Sequence, residues 1–203
     1  GMGGGSADAA AALVACAALW DISTDRAELT DIGRELGADV PFAIHGGAVL
    51  GAGIGHELTP IRTKKTTHWV IVPAAEGGLS TPRVYTEFDR SKGYRPGSHD
   101  VGPDPISEEL VRAFSMGDAE ELAIHMRNDL QPAALALYPG LNHTLELGLQ
   151  EGALATMISG SGPTIMMLCA DADSASTLAL RLNDEYQLPA WPVHGPAAGA
   201  TII

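Results

Sequence analysis

The sequence predicts an α+β protein of two domains, residues 1–66 and 67–203, the second built on a ferredoxin-like sheet. Three observations carry this. Helical runs alternate with apolar runs of strand length along the chain. The later part reads strand, helices, strand, strand, helix, strand, the order of a split βαβ unit. The first 66 residues hold helices and two short strands with no sheet large enough to cover them, so they read as part of a domain.

The elements follow in order. Ala9 to Trp20 is alanine-rich and a strong helix by propensity, with Ser6 or Asp8 as its expected cap. Asp25 to Leu36 is a second helix: Asp25 and Glu28 have capping-box spacing and Gly37 suits the C′ position. In "GADVPF", Pro41 fits the first turn of a short helix with Asp39 near its N-cap. "GGAVLGAG" and "HELTPI" read as two strands around a glycine turn.

From Thr67 onward, "HWVIVPA" is a strand and "STPRVYTEF" a short helix behind a capping serine or threonine. "SKGYRPGSHDVGPDP" has the composition of a loop. Helices are expected near 107–115, 119–126, 131–136 and 141–151. "ALATMIS" and "TIMMLCA" are apolar strands joined by the tight "GSGP" turn. Asp173 to Tyr186 is a helix, and "PAWPVHG" a last strand.

Composition narrows the function. With 45% apolar and 18% charged residues, the 203-residue chain can build a sizeable core. A net charge of −13 argues against a nucleic-acid partner, which a basic surface would serve. No apolar run reaches the ~18 residues a membrane span needs, and no secretory leader is visible, so no membrane contact and a cytoplasmic location are expected. Cys16 and Cys169 sit in apolar surroundings and read as buried free thiols. No Cys/His cluster has metal-ligand spacing, and the metal ligands stay unknown. An acidic protein can still bind phosphate through backbone N–H groups, a helix dipole and a divalent cation.

Four stretches could do such chemistry. "MGGGSADAA" is a glycine-rich turn running into a helix N-terminus, an arrangement that holds phosphates. The plainer reading is a flexible start in which Gly1 is left from tag cleavage. Asp39 reads either as an N-cap carboxylate or as a general base. "SGSGPT" at residues 159–164 is a second glycine turn or a plain hairpin, and "NDLQP" at 128–132 a helix break before proline.

Taken together, GGGS-x-D-A-A, G-x-D-V-P-F with a following G-G, the S-T-P stretch, N-D-L-x-P and S-G-S-G-P resemble the GHMP small-molecule kinases. Within them the pairing of "GGGSADAA" with "GADVPFAIHGG" resembles the enzymes acting on 4-diphosphocytidyl-2-C-methyl-D-erythritol. The resemblance implies a GHMP C-terminal ferredoxin-like domain behind a remnant of an N-terminal domain of the ribosomal protein S5 domain 2-like fold. It implies transfer of the γ-phosphate of ATP, with Mg²⁺, to a cytidine-diphosphate sugar alcohol on the non-mevalonate route to isoprenoid precursors. Gly3, Gly4, Gly5 and Ser6 would line the ATP phosphates, together with Gly160, Ser161 and Gly162, whose motif lies close to the phosphate loop in that family. Asp39 matches the catalytic aspartate, and Ser80 and Thr81 match a stretch near the substrate.

Two departures stand out. Ala7 replaces a serine found in many such kinases. The family also has a segment before the glycine loop that carries a catalytic lysine, and Lys64, Lys65 and Lys92 lie in expected loops away from that lysine's place. The sequence therefore reads as a C-terminal fragment without turnover of its own. Leu13, Leu19 and Trp20 are expected to be exposed, favouring a homodimer. A GHMP kinase of homoserine or mevalonate type, or a non-catalytic module, are the alternatives.

Overall fold

The computed structural model describes residues 1–73, 78–94 and 106–203. It divides into two compact units: Gly3–Lys64 with Gly195–Ile203, and Lys65–His194 with Gly1–Met2. Most of the expected loop at 91–105 lies outside the described residues, although Ser91 and Lys92 end a helix.

The first unit opens with α1 (Gly4–Leu19), which starts five residues earlier than propensity suggests. Neither Ser6 nor Asp8 caps it. Gly3 does, in the left-handed conformation (φ 61°, ψ 29°), and the Ala7 N–H closes the first turn onto the Gly3 carbonyl at 2.9 Å. Gly4, Gly5 and Ser6 are thereby wound into the helix, because a residue free to take positive φ stands where the chain must turn. α2 (Arg26–Leu36) has the expected capping box: Glu28 N–H donates to Asp25 at 2.9 Å and Asp25 N–H to Glu28 at 3.3 Å.

α3 (Val40–His45) follows at once. Its Val40 and Ile44 are buried with Ala10 of α1, and Ala9, Leu13 and Leu29 pack around them. A helix of six residues is too short to persist alone, so these contacts hold it. β1 (Gly46–Gly47) leads into a hairpin of β2 (Val49–Ala52) and β3 (Glu57–Pro60), paired Val49 to Pro60 through Ala52 to Glu57.

The second unit contains β4 (Thr67–Val72), α4 (Thr81–Lys92), α5 (Glu108–Met116), α6 (Ala119–His125), α7 (Gln131–Leu137), α8 (Leu141–Gln150), β5 (Ala155–Ile158), β6 (Ile165–Cys169), α9 (Ala172–Asp184) and all but the last residue of β7 (Trp191–Gly195). Its sheet has the order β5-β6-β4-β7. Numbered within the unit, that is 2-3-1-4, the expected split βαβ arrangement. The two apolar strands are antiparallel neighbours, Ile158 opposite Ile165 and Ala155 opposite Leu168. β4 pairs antiparallel with β6, Val70 opposite Met167.

Period-two alternation sorts the sheet residues between two clusters. Val70, Val72, Ile158, Ile165, Met167 and Cys169 share a core with Leu145 of α8 and Leu178 and Leu182 of α9. Leu168 joins the cluster of Ala113 on α5 and Leu122 on α6, against which Trp69 packs. Helices on both sides explain why "IMMLC" reads as a continuous apolar run rather than as an alternating one.

The chain then returns to the first unit. β8 (Ala197–Ala198) pairs antiparallel with β1, Gly46 opposite Ala198, a strand that the sequence does not signal. Residues 195–203, which the sequence division puts in the second domain, thus belong to the first compact unit.

Candidate active site

The first unit brings the glycine turn and Asp39 together. A helix leaves its first N–H groups without intrahelical acceptors and carries a partial positive charge at that end. In α1 these groups belong to the turn through Gly4, Gly5 and Ser6, and no side chain caps them. Asp39 is N-cap of α3 by backbone position, yet its carboxylate makes no capping bond, so the cap reading does not account for the side chain. It is exposed, and a Cβ on Gly3 would lie 3.8 Å from Asp39 Oδ2. Two residues 36 positions apart therefore set a free carboxylate beside a helix N-terminus that can take an anion.

The second unit joins the other predicted residues. Thr81 opens α4, and its hydroxyl is 2.9 Å from the Ser161 hydroxyl. The stretch expected near the substrate and the second glycine loop are thus one constellation. Ser80 precedes α4 as N-cap without a side-chain capping bond. Gly160 (φ 54°) and Gly162 (φ 77°) both take the left-handed conformation, which lets the chain turn tightly between β5 and β6. Ser159 N–H bonds the Thr164 carbonyl and Gly162 N–H the Ser159 carbonyl, each at 2.8 Å.

"NDLQP", which reads in the sequence as a helix break before proline, also holds the second glycine loop. Asn128 Nδ2 donates to the carbonyls of Ile158 and Gly160, both at 2.8 Å, and Asn128 Oδ1 accepts from Leu130 N–H at 3.0 Å. Gln131 Oε1 accepts from Ile158 N–H at 2.9 Å. The motif is tied by these bonds to the glycine loop and the end of β5. Its presence in the sequence was the available signal, but the loop it holds lies about thirty residues further on. An apolar depression of about 150 Å³ lies in the same unit, lined by Val72, Tyr138, Leu141, Pro163 and Leu188 among others. None of Ser80, Thr81, Gly160, Ser161 or Gly162 lines it.

The remaining candidates divide. Lys92 is the last residue of α4 rather than a loop residue, while Lys64 and Lys65 lie in the connection before β4. Both cysteines are free, but only Cys169 is buried; Cys16 is half-buried because α1 presents part of that side to solvent. Burial pushes the Cys169 thiol up to about 11, with Asp171 adding to the shift, so it does not read as a nucleophile. Among the described residues no three His, Cys, Asp or Glu side chains gather as a metal site, and no helix is long and apolar enough to cross a membrane.

Residues 1–47 match the GHMP kinases N terminal domain and residues 107–188 the GHMP kinases C terminal model. The chain is 50% identical to the 4-diphosphocytidyl-2-C-methyl-D-erythritol kinase of Streptomyces avermitilis, over the whole of this chain and 67% of that protein. It is 46% identical to the enzyme of the same name from Pseudarthrobacter chlorophenolicus, over the whole chain and 62% of that protein. The chain thus spans about two thirds of the length of these relatives. Among solved structures, a crystal structure of 4-(cytidine 5'-diphospho)-2C-methyl-D-erythritol kinase superposes with a TM-score of 0.76 at 30% identity, covering 97% of this chain and 66% of that one. A mevalonate kinase of L. major, crystallised with R-mevalonate, shares the fold: its TM-score is 0.74 at 20% identity, over 96% of this chain and 66% of that one.

Proposed function

We propose, from the premise that this chain belongs to the 4-diphosphocytidyl-2-C-methyl-D-erythritol kinase family of GHMP kinases, that it serves in transferring the γ-phosphate of ATP to a hydroxyl of that cytidine-diphosphate sugar alcohol. The step belongs to the non-mevalonate route to isoprenoid precursors. The observation that carries this reading is the N-terminus of α1, which no side chain caps, with the unengaged carboxylate of Asp39 beside it.

The roles follow from what each group can do. The N–H groups of Gly4, Gly5 and Ser6 donate to phosphate oxygens, reinforced by the dipole of a 16-residue helix. Asp39 accepts the proton of the acceptor hydroxyl as its oxygen bonds to the γ-phosphorus and the bond to the β-phosphate oxygen breaks, leaving ADP. In the second unit, Gly160 and Ser161 are the proposed further phosphate contacts, on a loop that Gly162 N–H closes onto the Ser159 carbonyl, and Ser80 and Thr81 the proposed substrate contacts. The Thr81–Ser161 hydrogen bond supports coupling between these last two groups.

Phosphates and Asp39 repel one another, which calls for a divalent cation. Mg²⁺ binds through one or two carboxylates, phosphates and water; Asp39 and the Ser6 hydroxyl are donors of that chemistry. When bound, the ion neutralises charge on the transferring group. We place the activity in the cytoplasm, where both nucleotides are available, without a nucleic-acid partner and with a homodimer as the expected assembly.

The test uses a protein of the full length of the relatives. Asp39→Asn is expected to lower kcat by roughly 10²–10⁴-fold while an ATP analogue still binds by calorimetry. Turnover within about twofold of wild type would reduce Asp39 to a backbone cap and overturn the assignment. Competition between the cytidine-diphosphate sugar alcohol, homoserine and mevalonate separates this acceptor from those of other GHMP kinases.

A further inference from the structure

The carbonyls at the C-terminal end of α3 are satisfied from outside the helix. Gly46 N–H takes the Phe42 carbonyl. Ala200 N–H donates to the Ala43 carbonyl at 2.9 Å. The Arg26 guanidinium donates through Nη1 to the Ile44 carbonyl and through Nη2 to the Ala200 carbonyl at 3.3 Å. Ala200 also packs on the Val40–Ile44 cluster. Around this point the returning strand β8 pairs with β1, and Gly46, at φ 66°, approaches Gly199 so closely that a Cβ on either would overlap the other's backbone.

We infer that Arg26 and the returning segment 195–203 form a strap that positions Asp39, and so govern the rate of the chemical step rather than substrate affinity. The inference rests on the reading of Asp39 as proton acceptor. Its physical basis is the length of α3. A six-residue helix has almost no stability of its own, and its last carbonyls are orphans that must find donors. Arg26 and Ala200 supply those donors, and a guanidinium at a helix C-terminus also meets the negative end of the dipole. Asp39 sits at the opposite end of the same short rod, so a loosened C-terminal end moves the carboxylate. The hydrogen bonds of the Arg26 guanidinium go to the Ile44 and Ala200 carbonyls, which makes it a positioning residue.

The experiment compares Arg26→Gln, Arg26→Lys, Asp39→Asn and the Arg26→Gln/Asp39→Asn double variant in the full-length protein. Arg26→Gln is expected to lower kcat by about 10- to 100-fold, the scale of an ångström-sized misplacement, with KM for both substrates nearly unchanged. Arg26→Lys recovers part of the loss, since an ammonium can reach one carbonyl in place of two. The double variant is expected to be no slower than Asp39→Asn alone, because the strap acts only through that carboxylate. Additive losses, or a normal kcat in Arg26→Gln, overturn the strap. A normal kcat in Asp39→Asn overturns the proton-acceptor reading itself, so the two failures differ. Should Arg26→Gln not fold, Arg26→Lys and Ala200→Pro, which removes the N–H donor to Ala43, make the same comparison.

Discussion

The glycine loop at 159–162 shows how two residues of one type carry different constraints. Gly160 and Gly162 both need positive φ, but a Cβ at Gly160 meets open space whereas one at Gly162 falls 2.8 Å from Ile158 Cγ2. Gly160→Ala is expected to cost about 1–2 kcal/mol of backbone strain. Gly162→Ala adds a clash with a fully buried side chain and is expected to cost more; paired urea titrations would reveal the order, and equal losses would contradict it. Cys169 gives a second residue-level expectation. Its thiol is buried and held near 11, so a disulfide reagent at pH 8 should leave it unmodified in the native protein and modify it in denaturant. Rapid native modification at Cys169 would show that the β6 core opens readily.

At the level of the element, helix ends explain more than helix interiors. α2, α5, α6 and α9 are capped by Asp25, Ser107, Asp118 and Asp171, whose side chains accept from backbone N–H groups inside the first turn. α1 lacks any such cap, and that lack leaves donors for a ligand. In α9 the bonds from Ser174 hold the Asp171 carboxyl below its ordinary range, aided by nearby His68. A folded-state pKa depressed below the unfolded value contributes stability that is present above the unfolded pKa and disappears as pH falls through the folded one. The stability advantage of wild type over Asp171→Asn is therefore expected to hold at neutral pH and to shrink below about pH 4, near the ordinary Asp value. Denaturation midpoints measured from pH 7 down to pH 3 test this, and an advantage growing towards acid would refute it.

Over the whole molecule the two units differ in how well they bury their apolar residues. The second has helices against both sides of a four-stranded sheet and a large buried cluster. The first buries only Ala10, Val40 and Ile44 in its own cluster, while Leu19 is 79% and Trp20 65% exposed and Ile22, Ile32 and Leu36 are exposed as well. Leu13, expected among the exposed, is half-buried and packs on Ile44's cluster. Exposed apolar surface of this kind favours association. A preparation of these 203 residues is expected to self-associate in sedimentation velocity, and Trp20→Ser with Leu19→Ser to reduce it; a concentration-independent monomer would count against the expectation.

The sequence by itself determined the elements and the chemistry they can carry. Period, caps and turn residues are local properties, so the capping box at Asp25, the apolar strands around "GSGP" and the strand–helix order of a ferredoxin-like unit could be read without coordinates. The glycine turn and Asp39 were legible as candidates for the same reason. The tertiary structure decided which candidates meet. Asp39's carboxylate is not engaged as a cap, Thr81 finds Ser161 across eighty positions, Asn128 holds a loop about thirty residues away, and β8 returns to β1 from the far end of the chain. Such partners are chosen by packing between distant segments, and a two-residue strand of alanines or a lone asparagine carries no local pattern that names its partner.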